Sequence, residues 1–122
     1  MTTQPGDNVD NSFVDAKPFV LVAKIHLKED VVPEFLDRVQ QVLDEMRHEK
    51  SFRSTSLCAD PKDPCRFMLF EVWADRDEFY SVQVNRDYRK PHAERFKEFL
   101  REPAVFEEWG EIRADYAIHI RR

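Results

Sequence analysis

A chain of 122 residues is long enough for one hydrophobic core, and small enough to gain from association with a second copy. Its 24 acidic against 19 basic residues give a formal charge of -5 without a basic cluster, which argues against nucleic acid, and 2 glycines argue against a phosphate-cradling loop. No apolar run approaches the roughly 18 residues of a membrane span, and two cysteines without a secretory pattern predict free thiols in a cytoplasmic protein.

Residues 1–17 hold Pro5, Gly6 and several Asn and Asp, with few large apolar groups. Such a segment cannot bury enough surface to offset its ordering, so a flexible arm is expected ahead of a domain spanning residues 18–122. Period-two alternation then predicts a strand over residues 19–28. Phe19, Leu21, Ala23, Ile25 and Leu27 point one way, and Val20, Val22, Lys24, His26 and Lys28 the other. Next, Phe35, Leu36, Val39, Val42, Leu43 and Met46 recur at helical spacing, with Asp30 as the expected cap and Pro33 in the first turn.

Residues 52–59 and 66–73 read as an antiparallel hairpin around Asp60-Pro61-Lys62-Asp63-Pro64. The second of these strands is almost wholly apolar, yet it carries Glu71 between Phe70 and Val72 and ends on Trp73. Asp75 and Glu78 have the spacing of a capping box and start a helical run. Asn85-Arg86-Asp87 interrupts that run, and Pro91 suits the first turn of a further helix carrying His92, Phe96 and Phe99 on one face. Val105, Phe106 and Trp109 make a short apolar patch. A last strand is expected beyond Gly110, where Ile112, Ala114, Tyr116, Ile118 and Ile120 alternate with polar residues.

Strand, helix, two strands, helices and strand predict an α+β chain of the ferredoxin-like split βαβ type, a four-stranded antiparallel sheet with helices on one face. The other face would carry Val20, Val22, Met68 and Phe70. The simplest cover for it is the sheet of a second copy, which predicts a homodimer, a dimeric α+β barrel.

This layout, the Phe70-Glu71-Val72-Trp73 strand end and the helix, loop and Pro-containing helix after it resemble the antibiotic biosynthesis monooxygenase (ABM) domain family over residues 19–116. The resemblance implies a cofactor-independent monooxygenase that oxidises a small aromatic, quinol-like or polyketide-like substrate with O2, using neither metal nor flavin. Alternatives on the same scaffold are a non-oxidative isomerase and a non-catalytic small-ligand-binding dimer. Family members often carry two histidines at positions that fall here near Gln83 and Tyr88, with His92 one helical turn further on. The haem-degrading branch uses an asparagine on the first strand, where this chain has Ala23 and Lys24.

His92 is the candidate base, because an imidazole titrates near neutrality unaided. Tyr88 is the second candidate catalytic group. Trp73 and Tyr88 can stack on a planar substrate and donate through their N–H and O–H, or fill the core. Glu71 is either a structural ion-pair partner of Arg66, Arg53 or Lys24, or a carboxyl of the site. Gln83 can donate to a substrate oxygen or face solvent. Phe79, Phe96 and Phe99 form either a pocket wall or plain core. The four histidines lack a zinc spacing, so no metal is expected.

Overall fold

The computed structural model describes residues 18–117. The expected N-terminal arm and the end of the expected last strand, residues 118–121, lie outside the described residues. Four strands and three helices follow in the order β1 (Phe19–His26), α1 (Val32–Met46), β2 (Phe52–Asp60), β3 (Asp63–Trp73), α2 (Arg76–Ser81), α3 (Lys90–Phe99) and β4 (Val105–Gly110). Single 3-10 turns occupy Glu29–Val31, Gln83–Asn85 and Asp87–Arg89.

The sheet order is β2-β3-β1-β4 and every neighbouring pair is antiparallel. This is the expected α+β, ferredoxin-like arrangement. Register fixes the two faces. Phe19, Leu21, Ala23 and Ile25 of β1 and Phe67, Leu69, Glu71 and Trp73 of β3 alternate toward the helices, because Leu21 sits opposite Glu71 and Ala23 opposite Leu69. The hairpin is tighter than the proline-aspartate run suggested. The Asp60 and Asp63 carboxylates accept the backbone N–H groups of Lys62 and Cys65 at 2.8 and 2.9 Å, so β3 begins at Asp63, with Pro64 at its start where a missing donor does least harm.

Four local expectations are corrected. Asp30 does not cap α1: it lies in the preceding 3-10 turn, and the helix starts beside Pro33 with no side-chain cap. Asp75 does cap α2, but it accepts from the Asp77 N–H, and Glu78 accepts from the buried Gln83 side chain at 2.9 Å and does not reach back to the cap. The fourth strand is Val105–Gly110, ahead of the alternating run at Ile112. Its pattern was obscured because Val105 and Phe106 are adjacent apolar residues that point to opposite faces of an edge strand. Residues 111–117 follow without regular structure, leaving Ile112 and Tyr116 exposed. Finally, Val20 and Val22 are buried within the chain itself, clustered with Val72 and Phe70, while Met68, Val105 and Trp109 are exposed on that face.

On the helix side the core is split. One cluster joins Ala23, Ile25, Leu27, Phe35, Val39, Phe67 and Phe99; another joins Phe19, Leu21, Val42, Met46, Trp73 and Phe79. Leu27 bridges to Leu100, and the backbone bonds Lys28 N–H to Phe99 O and Arg101 N–H to His26 O, both 2.9 Å, tie the end of α3 to the end of β1. Cys58 is exposed, Cys65 is buried, and both thiols are free. No helix among the described residues is long and apolar enough to cross a membrane.

Candidate active site

Between the two core clusters lies a cavity of about 570 Å³, within the range of small-ligand pockets. Leu21, Ala23, Leu69 and Glu71 form its floor on the sheet, and Phe35, Val39, Val42 and Met46 one wall on α1. Phe79 and Tyr80 of α2, together with Arg89, His92 and Phe96, close it on the other side. Phe106 of β4 also lines it and is exposed, because the helical layer does not reach over the edge strand.

Glu71, His92 and Arg89 stand in this apolar setting with polar atoms withdrawn from water, and Tyr80 and Lys97 also line it. Glu71 is buried because its position in β3 has helix-facing parity. Its carboxylate Oε1 accepts the Trp73 indole N–H at 3.0 Å. Arg66 and Lys24 face the opposite side of the sheet, where they pair with Asp60 and Glu107, and the expected ion pairs with Glu71 are not formed. Burial pushes the Glu71 carboxyl above its ordinary range; the indole hydrogen bond and the Arg89 charge oppose that only in part. Glu71 is therefore biased toward its neutral form.

His92, at the start of α3, lies between Phe35 and Phe96, its ring tilted 51° and 50° to theirs with centroids 5.8 and 5.5 Å away. Its Nδ1 is buried with no hydrogen-bond partner among the described residues. Burial first, then the charges of Arg38 and Arg89, lower its pKa below the usual imidazole value, so the neutral base is favoured. Arg89 precedes His92 by three positions, which brings the two side chains to neighbouring places on one helical face. Its guanidinium carbon lies 5.5 to 5.9 Å from the ring centres of Phe79, Trp73 and Tyr88. Its Nε and Nη2 are buried without a hydrogen-bond partner among the described residues.

Of the residues singled out in the sequence, Glu71, Phe79, His92 and Phe96 come together on the cavity lining. Trp73, Gln83, Tyr88 and Phe99 are not part of that lining. Trp73 is fully buried behind Glu71 and reaches the cavity through its hydrogen bond. Gln83 is buried too, its amide donating to Ser51 Oγ at 3.2 Å and to Glu78. The Tyr88 hydroxyl sits 3.4 Å from Glu49, and burial raises its pKa above the usual phenol value. Phe99 packs edge-on against Phe35 in the core. Arg89 went unread because an arginine in Asn-Arg-Asp-Tyr-Arg-Lys looks like one more solvated charge. The tyrosine before it and the Pro91-defined helix start after it were the available signals. Among the described residues no group of three or more His, Cys, Asp or Glu side chains is placed to hold a metal ion.

The fold is α+β, with an apolar cavity of ligand size between sheet and helices. Residues 18–99 match the antibiotic biosynthesis monooxygenase family, and the chain belongs to that family. No curated protein matches the sequence. Among solved structures, it is similar to a conserved protein from Methanosarcina mazei (18% identity, 77% of this chain and 92% of that one, TM-score 0.70). It is also similar to a mutant of SnoaB, a cofactor-independent oxygenase from Streptomyces nogalater (14% identity, 81% and 97%, TM-score 0.69). A third is a Mycobacterium tuberculosis protein (15% identity, 81% and 99%, TM-score 0.72). At these identities the likeness concerns the fold.

Proposed function

We propose that this chain is a cofactor-independent monooxygenase that uses O2 to oxidise a small electron-rich aromatic of the quinol or anthrone type. One observation carries the reading: an imidazole whose Nδ1 is buried without a partner among the described residues, and whose pKa burial lowers, lines an apolar cavity of ligand size. His92 takes a proton from the activated carbon or hydroxyl of the substrate. The resulting anion passes one electron to O2, and the radical pair recombines with formation of a carbon–oxygen bond. The imidazolium returns its proton to the peroxide. Loss of a second substrate hydrogen with cleavage of the O–O bond releases water and leaves a carbonyl. One oxygen atom ends in product and one in water, and the substrate itself supplies all the electrons.

In this reading Glu71, in its neutral form, donates a hydrogen bond to a substrate oxygen while Trp73 holds its other oxygen. Phe79 and Phe96 flank the ring, and the dry cavity protects the anion from solvent protons. Tyr88 acts as a positioning residue through its contact with Arg89, and Gln83 and Phe99 brace the walls from behind. A homodimer is part of the proposal, supported by Met68 (37% exposed) and Trp109 (60% exposed) on the sheet face that no helix covers. The test is oxygen uptake by the purified protein with a panel of quinols and anthrones, aerobically and anaerobically, repeated with His92→Ala and Tyr88→Phe. Uptake no faster than without protein would end this reading.

A second reading, a binding dimer without turnover, is favoured by one observation. Gln83 and Tyr88, at the positions where the family often has histidines, are engaged with Glu78, Ser51 and Glu49 and stand off the cavity lining. Saturable binding of the same compounds with no oxygen uptake would select it.

A further inference from the structure

Arg89 and Arg95 present the same edge of the guanidinium group in two different situations. On Arg95 the Nε and Nη2 atoms are both taken by one carboxylate: Glu34 Oε2 lies 3.1 Å from Nε and Glu34 Oε1 3.0 Å from Nη2. This side-on pairing is what the fork of an arginine fits best, a planar group with two oxygens sharing one negative charge. On Arg89 the same two atoms are buried and have no hydrogen-bond partner among the described residues, in a side chain that lines the cavity. Leaving two charged N–H groups buried and unpaired is costly unless something completes them. Glu71 is the carboxyl on the same lining, but among the described residues it accepts from the Trp73 indole and neither Arg89 Nε nor Nη2 donates to it.

From this we infer that Arg89 is the receptor for a carboxylate carried by the aromatic ligand. The inference rests on the reading of the cavity as a ligand site and deepens it by naming the substrate class. Arg89 and His92 are three positions apart on one face, so the acidic group would sit beside the hydroxyl or carbon that His92 addresses. The class is an aromatic acid whose carboxylate neighbours the reacting position.

The experiment is a calorimetric titration under nitrogen, so that no turnover is needed. The probes are 1-hydroxy-2-naphthoic acid and its primary amide, which match in shape and differ in charge. The native protein is expected to bind the acid on the order of 10- to 100-fold more tightly than the amide, as a fully formed charged pair would give. In Arg89→Gln that ratio should fall to about 1, with the amide's affinity within roughly 3-fold of native, and Arg89→Lys, which keeps charge but loses the fork, should fall between. Thermal melts check that each variant folds. The assignment is overturned if native protein binds both probes equally or neither, if the preference survives Arg89→Gln, or if it disappears in Lys97→Met, since Lys97 also lines the cavity. Acid preference without oxygen uptake would leave this inference standing while removing the oxygenase reading.

Discussion

The outer surface around α3 and the cavity on its inner side are built from the same residue types and treat them in opposite ways. Outside, Arg95 holds Glu34 and Glu98, and Glu34 also accepts from Arg38 at 2.7 Å. The side chains of that cluster are partly exposed and water is an alternative partner, so the network can break and re-form at little cost. Inside, Glu71 accepts from Trp73, while among the described residues Arg89 Nε and Nη2 and His92 Nδ1 are buried without a hydrogen-bond partner. Paired groups on a surface describe how a helix is kept soluble. Unpaired groups around a cavity are what the proposed ligand would complete.

Removing the side chain that packs behind the cavity should have the largest structural effect. Trp73 is fully buried, packs against Phe52 and Phe79, and is the hydrogen-bond donor to Glu71. Trp73→Ala is expected to cost about 3–5 kcal/mol in urea denaturation, the range for deleting a buried aromatic. Trp73→Phe keeps much of the packing and strands Glu71, for a cost of about 1–3 kcal/mol. If the two variants lost the same stability, the hydrogen bond and not the packing would be the main contribution of this residue. His92→Ala should leave the denaturation midpoint close to native or raise it, because it removes a buried group with an unsatisfied nitrogen. The same change should lower turnover by roughly 10²–10⁴-fold, as expected for loss of a general base.

The contrast between these two surfaces also explains what could be read before the fold was known. Periodicity is a property of one element at a time, so β1, α1, the hairpin and the break near Arg86 were legible from alternation and from Pro33 and Pro91. The burial of Glu71 was legible too, since its neighbours are apolar on both sides. Its partner is not, because sequence proximity cannot rank Arg66, Arg53 and Lys24, and only the β1–β3 register shows that Arg66 and Lys24 face away from it. Arg89 was invisible for a related reason. Nothing local separates it from Arg86, which pairs with Glu49 at 2.8 Å on the surface. The distinction is made by the turn over Asp87–Arg89, which rotates Arg89 under three aromatic rings.

Titration sharpens the comparison further. His92 has a folded pKa below its unfolded one, so its neutral form favours the fold above the ordinary imidazole value, near 6.5, and that contribution is lost as pH falls through the lower folded pKa. Turnover that needs the neutral base should therefore have an acid limb below 6.5, measured as the pH profile of kcat/KM. Glu71 is the reverse case. Its folded pKa is raised, so its contribution is complete below the ordinary carboxyl value and falls away as pH rises through the folded pKa. Glu71→Gln, which cannot ionise, should remove that decline, seen as a flatter dependence of the urea midpoint on pH above 4.5. An unchanged slope would mean that Glu71 does not titrate differently in the folded state.

The smallest effect should come from the outer cluster, and that is where the comparison is most exposed to failure. Arg95 shares its guanidinium between two carboxylates, which suggests strength by inspection. All three groups nevertheless remain hydrated, and each gains from water much of what it loses from its partner. Arg95→Gln should leave the urea midpoint and turnover within experimental scatter, and the midpoint should be insensitive to added salt in both proteins. Arg89→Gln, six residues away, should instead change ligand affinity strongly. If Arg95→Gln proved clearly destabilising, or shifted ligand affinity as much as Arg89→Gln, then α3 would transmit changes from its outer surface to the cavity. The division between a surface that only solvates and an interior that recognises would then have to be given up.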